Sequence, residues 1–123
     1  IKFYAPKRVF IECNGVSETK KFIDKVTNSK LKEYLKIGII VNLIDMTTFN
    51  MFLKNIPLMI IPNISLSNLI VLNKCNEISE NALKEYKDMI ERFNHNAHIV
   101  NCIGKEGTNM NFNKERLINR MMG

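Results

Sequence analysis

The sequence predicts an α/β fold, a three-layer αβα arrangement around a mainly parallel sheet. Three observations carry that expectation. Four strand-like apolar runs recur at intervals of roughly 30 residues, the length of a strand-helix-strand unit. They read as near-continuous Val, Ile, Leu and Phe rather than as strict alternation, which is the pattern of strands covered on both faces. The stretches between them carry helical periodicity.

The first run, Arg8 to Cys13, is read as a strand ending on the carboxylate of Glu12, with Asn14 and Gly15 just beyond. Glu18 to Thr27 follows as a helix with Phe22, Ile23 and Val26 on one side, and an amphipathic stretch runs from Lys30 to Lys36. Ile37 to Ile44 is the second strand, and Met46 to Lys54 a short helix leaving it. Ile56 to Pro62 is apolar but contains two prolines, each of which removes a backbone donor. It therefore suits a bent connection or one short helix better than a strand. Its expected place is the core, with contact to another chain as the alternative.

Leu69 to Asn73 is the third strand. Ser79 to Phe93 shows the clearest helical pattern: Ala82, Leu83, Tyr86, Met89, Ile90 and Phe93 share one stripe, Ser79 can cap the start, and Asn94 can end it. His98 to Cys102 is the last strand. The remainder, 104–123, is a tail that turns weakly helical from Asn113 to Met122, where Leu117, Ile118, Met121 and Met122 are apolar.

At 123 residues, 46% hydrophobic and 24% charged, the chain has the size and composition of one domain. Asn42, Asp45, Lys54 and Asn63 break the longest apolar runs below the roughly 18 residues that a membrane span needs. Cys13, Cys75 and Cys102 cannot all pair, and each lies near the end of an apolar run, which favours reduced thiols. The expected compartment is the cytoplasm. The net charge of +6 comes from lysines dispersed along helices, not from a clustered patch with aromatic platforms, so no nucleic acid partner is expected. The chain begins at Ile1, which fits a piece of a longer protein.

In an open parallel sheet, ligands bind just beyond the carboxyl ends of the strands. Two strand tips here carry polar groups: Asn73-Lys74 after Leu69 to Leu72, and Glu12 with Gly15 after Arg8 to Ile11. Taken singly, each is an ordinary strand end. The cysteines lack C-x₂-C spacing and read as small buried hydrophobes, and His95 and His98 read as a turn and an edge residue rather than as zinc ligands.

The combination is more specific. Ile11-Glu12-Cys13-Asn14-Gly15, then Ile40 to Asp45 with Phe49, then Leu69 to Lys74, then Phe93 to Val100 resemble, in order and spacing, the CobW family of P-loop GTPases over about residues 3 to 103. That family carries a glutamate, not an aspartate, at the tip where Glu12 stands. The resemblance implies a P-loop NTPase domain that uses GTP and Mg²⁺ and acts in metal handling or cobalamin biosynthesis. A Zn²⁺ or Co²⁺ cargo and a metalloprotein client are implied with it. Glu12 would stand near the Mg²⁺, through water, and Gly15 would let a loop approach the γ-phosphate. Asn73 would brace neighbouring loops, the Lys74 stem would lie along the base, and Asn76 occupies the position of the guanine-reading aspartate.

Several residues depart from the family pattern. The phosphate loop G-x-x-x-x-G-K-[ST] is absent from these 123 residues and is expected before Ile1, together with the family's Cys-x-Cys-Cys motif. Residues 1–103 are accordingly expected to be a partial GTPase domain, inactive alone, and Cys13 and Asn14 replace small hydroxyl residues. A degenerate nucleotide fold serving as an interaction module is the alternative, and an uncovered sheet edge favours a homodimer. Asn76 carries its own expectation. Guanine presents two donors, whereas an amide accepts only one and offers its NH₂ to the other, a mismatch of about 1 to 3 kcal/mol that a 2-oxo purine such as xanthine avoids.

Overall fold

The computed structural model describes residues 7–13, 18–103 and 107–108. In chain order its elements are α1 (Glu18–Asn28), a 3-10 turn (Lys30–Glu33), β1 (Val41–Asp45), α2 (Phe49–Asn55), α3 (Pro57–Leu66), β2 (Leu69–Asn73), a second 3-10 turn (Cys75–Glu77), α4 (Glu80–Phe93), β3 (His98–Ile103) and β4 (Gly107–Thr108). The strands lie in the order β1-β2-β3-β4. β1, β2 and β3 are parallel, and the two-residue β4 is antiparallel to β3. The α/β expectation is met, with helical crossovers between parallel strands.

β2 is the central strand and the most buried. Leu69, Ile70 and Leu72 are all within the core, as expected of a strand with neighbours on both sides and apolar cover. Its register is shared on both flanks: Ile70 stands opposite Asn42 and Ile99, and Leu72 opposite Ile44 and Asn101. Residues two apart on a strand share a face. Ile44, Ile70, Leu72 and Ile99 thereby form one apolar surface, on which Phe49 from α2, Ile64 from α3 and Ile90 from α4 are buried. Phe49 also meets the Tyr86 ring edge-on at 5.4 Å. On the opposite face the edge strand β1 leaves Val41 and Leu43 55% and 65% exposed.

The helix ends follow from local chemistry. The Ser79 hydroxyl accepts from the Ala82 N–H at 3.1 Å, the N-cap bond expected from the sequence. α3 is mostly apolar and begins at Pro57, which suits the first helical turn because no N–H is needed there. Its buried side is Ile64 with Ile60 against the core, while Leu58 is 89% exposed. The Ile56 to Pro62 segment thus resolves into a short helix, half core and half surface.

Two asparagines tie the starts of the strands together. The Asn68 side chain accepts from Ile40 N–H at 2.7 Å, and its backbone carbonyl accepts from His98 N–H at 2.9 Å, so one residue joins the entries to β1, β2 and β3. Asn94, buried after α4, donates its amide to the carbonyls of Ile64 and Ser67, both at 2.8 Å. Its carbonyl accepts from the N–H groups of Asn96 and Ala97. One side chain therefore satisfies the end of α3 and the turn into β3.

The expectations for the N-terminal run and the second strand need correction. Arg8 to Cys13 is irregular rather than a strand, and Val9, Phe10 and Ile11 are 47%, 81% and 50% exposed. Composition makes a segment able to pair, but only a neighbouring strand makes it a strand. The second strand begins at Val41 rather than Ile37, because Ile40 is held by Asn68 at the sheet margin. The tail region 113–122 lies outside the described residues.

Replacing Asn94 by Ala removes its bonds to the Ile64 and Ser67 carbonyls and to the Asn96 and Ala97 N–H groups, and is expected to cost about 1 to 3 kcal/mol in chemical denaturation. Ser79→Ala removes one cap bond and is expected to cost about 1 kcal/mol in the same measurement.

Candidate functional site

The shared register of β1 and β2 brings Asp45 and Asn73 side by side at the carboxyl end of the sheet. The chain then turns in two ways. After β1, Met46 N–H donates to the Asn73 carbonyl at 3.0 Å, which carries the pairing one residue beyond the strand. After β2, Lys74 adopts φ 59°, ψ 35°, the only positive φ of a non-glycine residue among those described. A lysine in the left-handed region costs energy that surrounding contacts must offset, and such residues concentrate at ligand sites.

Those contacts are present. Cys75, next in the chain, is buried with its thiol directed at the Leu72 carbonyl, 2.9 Å away. Glu77 N–H donates to the Lys74 carbonyl at 3.0 Å, closing the 3-10 turn. The Lys74 ammonium lies 3.0 Å from Asp45 Oδ2. Thr47 holds the other carboxylate oxygen, its N–H at 2.9 Å and its hydroxyl at 2.5 Å from Oδ1. The strand-end carboxylate thus has one oxygen for the loop that follows it and one for the neighbouring loop.

The electrostatics agree with the geometry. The Thr47 hydroxyl, and after it Lys74, hold the Asp45 carboxyl below its usual range, while Asp45 raises the Lys74 ammonium above its own. A depressed carboxyl supports the fold above its unfolded pKa and loses that support as pH falls through the folded value. A raised ammonium does so below its unfolded pKa and loses it as pH rises. The pair is therefore whole across the interval from above the carboxylate range to below the lysine range. With side chains 47% and 34% exposed, it is screened by salt and serves placement more than stability.

The residues expected from the sequence are distributed unequally. Asn73, Lys74 and Asn76 come together on one loop, with Asn76 and Glu77 both exposed. Glu12 is an exposed carboxylate on an irregular segment rather than a strand tip, and Gly15 and Asn14 lie outside the described residues. In the sequence Asp45 stands out only as an acid at the end of an apolar run. Its bond to Lys74 was recoverable in principle, because parallel strands in register put the Asp at one tip within reach of the Lys just past the next.

Among the described residues no group of three or more His, Cys, Asp or Glu gathers as a metal site. Cys13 and Cys102 are half-buried free thiols, and His95 is exposed while His98 is half-buried. A Mg²⁺ held with a nucleotide needs less from the protein, since one carboxylate suffices when phosphates and water complete the shell. The accessible Glu12 carboxylate has that donor chemistry. No helix among the described residues is long and apolar enough to cross a membrane.

No curated protein and no solved structure matches the chain. The nucleotide-binding domain of the CobW/HypB/UreG family matches residues 2–101, a span that includes β1, β2, most of β3 and the Asn73-Lys74 loop. With a parallel sheet, a preformed polar loop at its carboxyl end and a match over most of its length, the chain belongs to the CobW/HypB/UreG nucleotide-binding domain family.

Proposed function

We propose that this chain supplies the base-reading side of a cytoplasmic GTP-binding protein that hydrolyses GTP with Mg²⁺ and acts in metal handling or cobalamin biosynthesis, serving a metalloprotein client. The observation that carries this reading is the preformed Asn73 to Glu77 loop, with a left-handed lysine anchored across to β1. In the proposed arrangement the Lys74 stem lies along the purine, Asn73 braces the loop and Asn76 meets the base edge. Glu12 contributes a carboxylate toward Mg²⁺ through water, and Gly15 gives room for a γ-phosphate. Mg²⁺, when bound, offsets phosphate charge; this chain's part is to position the base. No phosphate loop occurs in these residues, so turnover belongs to a longer protein that supplies one.

A second reading is favoured by a different feature. Met51, Phe52, Leu58 and Met59 on α2 and α3 are 52%, 41%, 89% and 43% exposed, apolar surface of the kind that a partner covers. In that reading the domain is an interaction module that pairs with a second copy and does not turn over nucleotide. Titration separates the two. Measurable nucleotide binding by a chain whose light-scattering mass does not change with concentration supports the first, and self-association without nucleotide binding supports the second.

The base specificity is testable by calorimetric titration with GTP and XTP. Because Asn76 cannot accept both guanine donors, XTP is expected to bind about 5- to 150-fold more tightly than GTP, the equivalent of about 1 to 3 kcal/mol. Asn76→Asp is expected to reverse that order. A strong GTP preference in the unaltered chain removes Asn76 from the reading role.

A further inference from the structure

Asp45 is held from two sides. Both of its oxygens are committed: Oδ1 receives two bonds from Thr47, and Oδ2 faces the Lys74 ammonium at 3.0 Å. The backbones on either side are joined as well, through Met46 N–H and the Asn73 carbonyl. Nothing in this arrangement is needed to hold the core, since Thr47 and Lys74 are both exposed and the apolar cluster lies on the helical side of the sheet. What it restrains is one long side chain, which would otherwise sample many rotamers from an unfavourable backbone conformation.

Resting on the base-site reading above, we infer that Asp45, aimed by Thr47, is a positioning residue for the nucleotide base: it draws the Lys74 ammonium toward β1 and leaves the methylene stem as the ligand-facing surface. The ammonium is then occupied within the protein. Lys74 acts on the ligand through its stem rather than as a phosphate-seeking cation. Pre-ordering the stem removes an entropic cost that binding would otherwise bear.

This assignment and simple electrostatics predict opposite signs. Asp45→Asn removes a negative charge close to where an anion binds. If Asp45 acted only through its charge, the variant would bind a nucleoside triphosphate more tightly, and the gain would vanish for an uncharged nucleoside. If Asp45 positions the stem, the variant binds more weakly, and by the same factor whether or not phosphates are present.

The experiment titrates XTP and xanthosine, with GTP and guanosine alongside, into the unaltered chain and into Asp45→Asn, Thr47→Val, Lys74→Ala and the Asp45→Asn/Lys74→Ala pair. Circular dichroism checks that each variant is folded. Asp45→Asn is expected to weaken triphosphate and nucleoside alike by about 5- to 10-fold, Thr47→Val by less, and the double variant by no more than Lys74→Ala alone, because residues in one network do not add. Tighter triphosphate binding by Asp45→Asn, unchanged binding, or additive losses in the double variant would overturn the assignment. If the unaltered chain binds none of the four ligands, the base-site reading itself fails and takes the assignment with it, an outcome distinct from a variant that matches a binding parent.

Discussion

The in-register parallel pairing of β2 with β1 on one side and β3 on the other is the constraint on which the rest of this structure depends. Parallel neighbours require crossovers, and those crossovers are the helices that cover the Ile44, Ile70, Leu72 and Ile99 face. Register also decides which residues end level with one another. Because Asp45 stands opposite Asn73, the acid at the tip of β1 meets the lysine one residue past the tip of β2. A slip of one residue would turn Ile70 and Leu72 out of the core and part this pair together.

The two ends of the sheet are built for different purposes. At the entry end, Asn68 and Asn94 spend their amide groups on backbone carbonyls and N–H groups that strand starts and helix ends would otherwise leave unmatched. At the exit end, bonding is directed at side chains and loop shape, with Thr47, Asp45 and Lys74 joined in series above the buried Cys75. The entry end maintains the fold, and the exit end presents polar groups in a fixed arrangement. This division accords with the rule that open α/β sheets bind ligands beyond their carboxyl ends.

Local pattern made much of this legible. The bounds of β2 match the Leu69 to Asn73 run, and α4 occupies Glu80–Phe93 behind its Ser79 cap, because a long amphipathic stripe and a continuous apolar run are strong and unambiguous signals. Asn94 was legible as a helix stop, but not as the residue that also closes α3, since Ile64 and Ser67 lie some 30 positions earlier in the chain. The Arg8 to Cys13 run misled for the complementary reason. Its composition suits a strand, yet it lies outside the sheet as an irregular segment.

The loop of Asn73, Lys74 and Asn76 was legible because these residues follow one another at the end of a single strand, where sequence adjacency is spatial adjacency. The sequence by itself determined the α/β class, the family resemblance and that loop. Tertiary structure alone decided that Lys74 takes a left-handed turn and gives its charge to Asp45, and that α3 leaves Leu58 in water while burying Ile64. The physical reason is range. Periodicity and strand-tip chemistry act over a few residues, whereas an ion pair between neighbouring strands and the choice of a buried helix side exist only after segments far apart in the chain have been packed together.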